Sequence, residues 1–211
     1  LKSDHPAKKY IEQRQIPSDQ HYRIFYAPKF KTWINSIVPD KFPAFRKDEP
    51  RLILPFLNEQ KQCFGVSARG FDPNGMRYYT IMFRNDEPKI FGIDQANFDE
   101  TYMVVEGAID SLFLPNAIAM AGADGNSSRL KNPENAIFCF DNESRNSEIT
   151  KRMEKLLTKG YRVCIWPSFV PGKDINEMYL NGLGDIDKVI KDNTYSGLEG
   201  QLKLASWRKT K

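Results

Sequence analysis

Cysteine and histidine are both scarce in this chain of 211 residues. There are three cysteines, Cys63, Cys139 and Cys164, and two histidines, both near the N-terminus. The wide spacing of the cysteines excludes a disulfide framework or a structural zinc cluster, and it favours a reducing compartment. Two histidines also leave a zinc hydrolase with too few ligands. We therefore expect no zinc in this chain.

Long apolar runs are missing as well. No stretch reaches the roughly 20 apolar residues that a membrane span needs, and the opening segment Leu1–Pro6 lacks the apolar centre of a signal peptide. We therefore predict a cytoplasmic protein without membrane association. Its net charge of +4 permits a polyanionic partner but does not require one.

The segment Tyr102–Leu112 carries the most informative pattern. An apolar run ends at Glu106, Gly107 turns the chain, and Asp110 follows. A carboxylate at the end of a buried strand is costly to desolvate unless a cation compensates it. If a helix begins at Gly107, Asp110 lies in its first turn close to Glu106, and the two carboxylates suit a hard cation such as magnesium.

Two more acidic positions follow further along the chain. Asp141-Asn142-Glu143 comes directly after the apolar Phe138–Phe140, and Asp174 lies in a later loop. In an open parallel sheet, ligands bind beyond the carboxyl ends of the strands, so we expect these acids and Glu106 on one rim. If the chain stays extended past Asp141, the side chains of Asp141 and Glu143 face the same side. The three acidic strand ends together predict a metal-dependent phosphate site.

From Tyr102 onward, predicted strands alternate with predicted helices, which is typical of a parallel sheet covered by helices. The clearest helix has an apolar stripe, Ser147 as its N-cap and Gly160 at its end. A further short helix is expected to begin at Asp174. The predicted strands are Tyr102–Val105, Ala117–Ala121, Ala136–Phe140 and Tyr161–Trp166, and the predicted helix spans about residues 147–159.

The first hundred residues have a different pattern. Two strands at about residues 51–56 and 62–69 are joined by a polar turn, and a third strand at about residues 77–83 follows an Asp-Pro-Asn-Gly turn. The basic and aromatic residues before Arg51 suit single-stranded nucleic acid, although core packing explains the aromatic residues about as well. We predict a mixed α+β part over residues 1–100, an α/β part over residues 101–182 and a C-terminal helical tail over residues 183–211.

With the acids placed, the chain resembles a known family. Glu106-Gly107-x-x-Asp110, Asp141-Asn142-Glu143 and Lys173-Asp174 resemble the toprim domain of replicative primases and topoisomerases, a Rossmann-like parallel sheet flanked by helices. The first half resembles the RNA-polymerase core of DnaG-type primases, and the primases of T-even bacteriophages resemble the chain more closely still. The resemblance covers nearly the whole chain, and its other segments are Arg51–Phe56, Gly65–Gly70, Arg77-Tyr78, Lys89–Gly92 and Ile175–Met178.

The resemblance implies a DNA primase of phage-type replication, which makes short RNA primers on single-stranded DNA by divalent-metal-dependent nucleotidyl transfer. It implies Mg²⁺ or Mn²⁺ as cofactor, with two ions at the site. The implied metal ligands are Glu106, Asp110, Asp141, Glu143 and Asp174, and the implied catalytic residues are Glu106, Asp141, Glu143 and Lys89. The implied nucleotide and template contacts are Arg51, Arg69, Arg77, Lys89 and Lys173.

The resemblance also implies partners: single-stranded DNA template, ribonucleoside triphosphates, the RNA primer and a single-strand-binding protein. A hexameric helicase is implied as a separate chain, because no Gly-x-x-x-x-Gly-Lys-[Ser/Thr] phosphate loop is present here. The implied location is the host-cell cytoplasm if the chain is phage-encoded.

The chain departs from the family pattern in two places. Most toprim domains carry Asp-x-Asp where this chain has Asp141-Asn142-Glu143, a substitution in which the T-even phage primases resemble it. Family members also carry an N-terminal zinc ribbon that helps choose the start site, and this chain has no matching cysteine set. We therefore expect an RNA-polymerase core without the zinc ribbon.

Simpler structural roles stay open for several of these residues. Asp174 could cap a helix together with Glu177, and Asp110 could offset a helix dipole. Glu143 could be a solvated loop acid, and the basic residues could be solvated strand edges. Two other functions also stay open: a toprim nuclease, and a catalytically silent module that binds nucleic acid or docks a helicase.

Overall fold

The computed structural model describes residues 2, 4–45, 47–84, 86–120 and 130–209, with the side chain of residue 209 excepted. The last residue of the predicted strand Ala117–Ala121 lies outside the described residues. The chain divides into two compact units, Leu1–Asp94 and Gln95–Lys211. We call them the first and second unit.

The first unit contains an antiparallel sheet in the strand order β1-β2-β3-β4. The predicted hairpin between β2 and β3 is present, and Leu52 pairs with Arg69 within it. Two short helices that the sequence pattern did not predict precede these strands. The elements are α1 (Pro6–Gln13), β1 (Phe25–Ala27), α2 (Phe30–Ile37), β2 (Arg51–Leu57), β3 (Cys63–Gly70), β4 (Tyr78–Met82) and β5 (Ile90–Phe91).

The core of the first unit lies between α2 and one face of this sheet. Phe30 and Ile34, one helical turn apart on α2, are fully buried against Ile53, Val66 and Ile81 from three neighbouring strands. Fully burying side chains of this size contributes roughly 1.5–3 kcal/mol each. This packing holds β2 and β3, which carry Arg51 and Arg69.

The second unit contains a parallel sheet with one antiparallel strand, and its strands run in the order β10-β9-β8-β6-β7. The pairs β6–β7, β6–β8 and β8–β9 are parallel, and β10 is antiparallel to β9. The predicted α/β class is confirmed. The elements are β6 (Tyr102–Val105), β7 (Ala117–Met120), β8 (Ala136–Cys139), α3 (Ser147–Thr158), β9 (Arg162–Cys164), α4 (Ile175–Leu180), α5 (Ile186–Asp192), β10 (Thr194–Tyr195) and α6 (Gly197–Lys209).

The start of α3 corrects one detail of the sequence prediction. Asn146, and not Ser147, is the N-cap: its side chain accepts hydrogen bonds from the backbone N–H groups of Glu148 and Ile149. Asparagine and serine are about equally good caps, so the sequence alone does not choose between neighbours. The predicted stripe of the helix is buried, with Ile149, Met153, Leu156 and Leu157 facing inward.

Residues 183–211 lie within the second unit and contain a strand as well as helices. Thr194 of β10 pairs with Cys164 at the edge of the sheet, and α6 packs on α3 beyond it. On α6, Leu204 and Trp207 are buried. Among the described residues, no helix is both long and apolar enough to cross a membrane.

Candidate active site at the carboxyl ends of the parallel strands

Glu106 lies directly after β6 and is held by two contacts. Its Oε1 is 2.5 Å from Nη1 of Arg152 on α3, and its Oε2 accepts a hydrogen bond of 3.3 Å from the backbone N–H of Asp141. The neighbouring strands β6 and β8 run parallel, so residues that follow them meet at the same edge of the sheet. The predicted proximity of Glu106 and Asp141 is therefore present in the structure.

Asp141 is partly buried among other charged side chains at this edge. Burial, followed by the negative charges of Glu106, Asp110 and Asp174, raises the pKa of Asp141 from 3.8 to about 7, and the Lys173 ammonium lowers it only in part. Carboxylates repel one another when they share a site, so the neutral form of one of them is favoured. We call Glu106, Asp110, Asp141 and Asp174 the acidic rim.

Asp110 and Asp174 are also held by backbone N–H groups. Asp110 begins a 3₁₀ turn, Asp110–Phe113, and its Oδ1 accepts from the N–H of Asn176 at 3.1 Å. Its Oδ2 lies so close to Gly107 that a Cβ there would come within 2.2 Å, so a side chain at position 107 would force the Asp110 carboxylate to turn away. Asp174 is the N-cap of α4 and accepts from the N–H of Glu177 at 2.8 Å.

The capping contact means that Asp174 has the structural role that its sequence position allowed. Glu177 contributes as well, because its Oε2 accepts from the backbone N–H of Lys173 at 3.2 Å. The cap uses only Oδ1 of Asp174, and the charge of this carboxylate still acts on Asp141. A cap and a ligand for a cation are thus compatible at this residue.

The segment after Asp141 joins two loops of the rim. The backbone N–H of Asn142 donates to the carbonyl of Lys173 at 2.6 Å, and its side-chain amide donates to the carbonyl of Gly172 at 3.2 Å. Glu143 accepts from the side-chain amide of Asn146 at 3.2 Å and is not among the charges that raise the pKa of Asp141. The structure therefore brings four of the five predicted ligands into one electrostatic neighbourhood and turns Glu143 toward the start of α3.

The chemistry of the acidic rim fits a hard divalent cation, since its donors are carboxylate oxygens. The present arrangement is not a finished ligand set. Within the described ranges, no group of three or more His, Cys, Asp or Glu side chains is placed to hold one metal ion. Glu106 is turned to Arg152 and Asp110 to the N–H of Asn176, so these side chains would have to rotate to bind a cation.

The predicted basic residues fall into both units. Arg51 is buried, with 1% of its surface exposed, and each of its three guanidinium nitrogens donates: to Glu49, to the carbonyl of Ala68 and to the carbonyl of Met76. Its guanidinium also lies 4.4 Å from the centre of the Tyr79 ring. Arg51 is thus a structural cation in this arrangement, and a phosphate contact would require it to leave these partners.

Arg69 is half-buried, and the other basic residues are exposed. Arg69 lies 4.8 Å from the ring centre of Tyr78, and its Nε and Nη1 are buried without a hydrogen-bond partner among the described residues. Arg77 and Lys89 are exposed. In the second unit, the Lys173 ammonium lies 3.8 Å from a carboxylate oxygen of Asp174, so this predicted phosphate contact is beside the acidic rim.

Arg152 is the residue of this site that the sequence interpretation missed. It lies 46 positions after Glu106, and its guanidinium covers the ring of Phe140 at 4.8 Å. One signal was available: Arg152 stands three positions after Ile149 and four before Leu156, and so interrupts the apolar stripe of α3. A charge on the buried side of a helix needs a partner.

Comparison with solved structures identifies the fold. No protein-family model matches the chain. The zinc-binding and RNA-polymerase domains of the Aquifex aeolicus primase match it with a TM-score of 0.69 and 16% identity, over 97% of this chain and 59% of that one. A DnaG primase catalytic domain bound to single-stranded DNA matches with a TM-score of 0.67 and 15% identity, over 98% and 84%. The chain therefore has the α/β fold of the DnaG-type primase catalytic core.

The sequence comparison then gives a particular relative. The DNA primase of Enterobacteria phage T4 is 30% identical over 216 residues, which cover 99% of this chain and 62% of that protein. The chain is thus similar to the T4 DNA primase over nearly all of its own residues, and it spans about three fifths of the length of that protein.

Proposed function

We propose that this chain is the RNA-polymerase core of a phage-type DNA primase and that its parallel sheet is a toprim domain. The observation that carries the proposal is the acidic rim, where burial and then the repulsion between carboxylates raise the pKa of Asp141 to about 7. Carboxylates gathered at such a cost are typical of a functional site rather than of a folding requirement. The likeness to the T4 primase supports the choice of reaction.

The reaction proposed is the attack of a ribonucleotide 3′-hydroxyl on the α-phosphorus of an incoming triphosphate, with pyrophosphate leaving. Two divalent cations, Mg²⁺ or Mn²⁺, would neutralise the charge that develops on the attacking and leaving oxygens. Glu106 and Asp141 would hold them, with Asp110, Asp174 and Glu143 completing the site directly or through water. Asp141 must lose its proton for this, which a cation favours because it replaces the proton as the counter-charge.

The basic residues would bind the phosphate groups of the nucleotide and the template. Lys173, beside the rim, would bind phosphate of the nucleotide, whereas Arg69, Arg77 and Lys89 in the first unit would bind triphosphate and template. Contacts of this kind set affinity without reading sequence. Arg51 would act indirectly: it holds the carbonyl of Met76, the residue before Arg77, at 2.8 Å.

The proposed partners follow from the same reaction. Single-stranded DNA is the template, and one matched DnaG catalytic domain is bound to single-stranded DNA. Ribonucleoside triphosphates and the growing RNA primer complete the substrates. We also propose a separate hexameric helicase and a single-strand-binding protein as partners at the replication fork, in the cytoplasm of the host cell.

A single assay tests the proposal. Labelled ribonucleoside triphosphates, end-labelled single-stranded DNA and Mg²⁺ or Mn²⁺ are incubated with the wild type or with Asp141→Asn. We expect template-dependent RNA from the wild type and a loss of at least about a hundredfold in the variant, since a ligand to the catalytic cation is removed.

Asp192→Asn is the matched control, because it makes the same chemical change at an exposed residue of α5 that pairs with Lys188. It should synthesise RNA at the wild-type rate. Shortened DNA without RNA would show a nuclease instead, and undiminished synthesis by a folded Asp141→Asn protein would remove Asp141 from the metal site.

A further inference from the structure

Arg152 stands at the acidic rim although it belongs to the inward side of α3. Its side chain is 22% exposed and stacks over the ring of Phe140. Phe140 immediately precedes Asp141, so this stacking keeps the guanidinium at the carboxyl end of β8. The neighbouring Ile149 and Met153 are buried and fix the helix beneath it.

The contact between Arg152 and Glu106 uses the oxygen that faces α3. Nη1 of Arg152 lies 2.5 Å from Oε1 of Glu106, while Oε2 accepts from the N–H of Asp141. Both oxygens of Glu106 are therefore engaged by donors of the chain itself. A divalent cation and a guanidinium repel each other at such distances, so a cation that binds Glu106 must take the place of Arg152.

We propose that Arg152 is a stand-in cation: it neutralises Glu106 in the metal-free protein, a divalent cation displaces it, and the freed guanidinium then binds the triphosphate of the nucleotide. The nucleotide half of this inference rests on the proposed function, whereas the competition for Glu106 does not. A guanidinium suits the second role because its planar fork of donors matches two phosphate oxygens. Stacking on Phe140 keeps it close to the rim after Glu106 is released.

The competition is tested by calorimetric titration with Mn²⁺ alone, without nucleotide. We expect Arg152→Met to bind Mn²⁺ about tenfold more tightly than the wild type, because the competing charge is gone. Arg152→Gln, which keeps hydrogen bonding but loses the charge, should behave in the same way and serves if the Met variant does not fold. Unchanged or weaker Mn²⁺ binding in a folded neutral variant would overturn the proposal.

Two control variants separate charge from position. Lys151→Met removes the same charge from the neighbouring residue of α3, which is exposed, and should leave Mn²⁺ affinity within about twofold of the wild type. Arg152→Lys keeps a cation beside Glu106 and should also stay close to the wild type. A tightening in Lys151→Met equal to that in Arg152→Met would show a general charge effect and overturn the specific contact.

The proposed contact between Arg152 and the triphosphate is tested by titrating ATP at saturating Mn²⁺. Arg152→Met is expected to bind ATP about tenfold more weakly, since a charge-assisted contact to phosphate is lost, while Lys151→Met binds it as the wild type does. A merely structural Arg152 would not shift the two affinities in opposite directions. Equal ATP affinity in Arg152→Met and the wild type would overturn the nucleotide role of Arg152. If the wild type makes no RNA but Arg152→Met still binds Mn²⁺ more tightly, the proposed function alone is refuted.

Discussion

The ionised form of the Asp141 side chain is unfavourable in the folded protein. Burial and the charges of Glu106, Asp110 and Asp174 raise its pKa to about 7, so near neutral pH the metal-free protein holds a proton there that an unfolded chain has released. The backbone N–H of Asp141 meanwhile donates to Glu106. The two acids that close β6 and β8 are thus coupled both by charge and by a hydrogen bond.

This coupling predicts how stability depends on pH. Between about pH 4 and pH 7 the unfolded chain loses the Asp141 proton while the folded protein keeps it, so the contribution of this group to stability falls as pH rises through that window. We expect Asp141→Asn to be more stable than the wild type at pH 8 in chelator, by about 1–2 kcal/mol after allowing for solvent screening. At pH 5 the difference should be smaller.

Urea unfolding at the two pH values, with and without Mn²⁺, measures these differences. Mn²⁺ should stabilise the wild type at pH 8 and leave Asp141→Asn nearly unchanged, because the cation binds the ionised carboxylate. A wild type and variant that show parallel pH profiles in chelator would contradict the raised pKa of Asp141.

At the residue scale, the local sequence predicted the positions of the acidic site residues better than the surroundings of the basic residues. Glu106 and Asp141 each end an apolar run, and the parallel pairing of β6 with β8 brings them together. The burial of Arg51 could not be predicted, because it depends on partners such as Ala68 and Met76 that are distant in sequence. The same holds for Arg152, whose partner is 46 residues away.

Among the elements, the loop before α4 matters most for the rim. Gly172 has a φ of +82°, and a Cβ there would lie 3.0 Å from the backbone carbon of Glu177 and 3.0 Å from the nitrogen of Met178. The carbonyl of Gly172 also accepts from the side chain of Asn142. This glycine therefore permits the tight turn that places Lys173 and Asp174 beside Asp141.

A pair of glycine substitutions tests this role. Gly160, after α3, also has a φ of +82°, but a Cβ there would meet nothing within 4 Å. We expect Gly160→Ala to cost about 1–2 kcal/mol of stability from the left-handed backbone alone. Gly172→Ala should cost roughly 1–3 kcal/mol more from steric overlap.

Thermal or urea unfolding gives the stabilities of these two variants, and calorimetry gives their Mn²⁺ affinities. Only Gly172→Ala should bind Mn²⁺ more weakly, because it displaces Asp174. Equal losses of stability and equal Mn²⁺ affinity in the two variants would show that the loop does not position the rim.

At the scale of elements, the hydrophobic periodicity of the sequence predicted a helix correctly where it extends over several turns, and a strand where the whole strand is apolar and buried. The strand Tyr102–Val105 and the helix α3 have the predicted positions to within a residue or two. The helices α1 and α2 have eight residues each, so about two turns of periodicity were available to reveal them. Packing of Phe30 and Ile34 on the sheet stabilises α2.

At the scale of the whole molecule, the net charge differs between the two units. Residues 1–94 contain 16 Lys and Arg against 11 Asp and Glu, whereas residues 95–211 contain 15 against 16. The net charge of +4 therefore comes from the first unit, which carries Arg69, Arg77 and Lys89. A basic first unit suits a polyanionic template, and a nearly neutral second unit does not oppose the binding of a cation.

The most direct measurement is anomalous X-ray scattering from crystals of the wild type soaked in Mn²⁺, compared with Asp141→Asn crystals treated in the same way. We predict anomalous density within about 2.5 Å of carboxylate oxygens of both Glu106 and Asp141 in the wild type, and its loss in the variant. Density confined to other carboxylates, or the same density at this edge in Asp141→Asn, would contradict a cation site at the acidic rim.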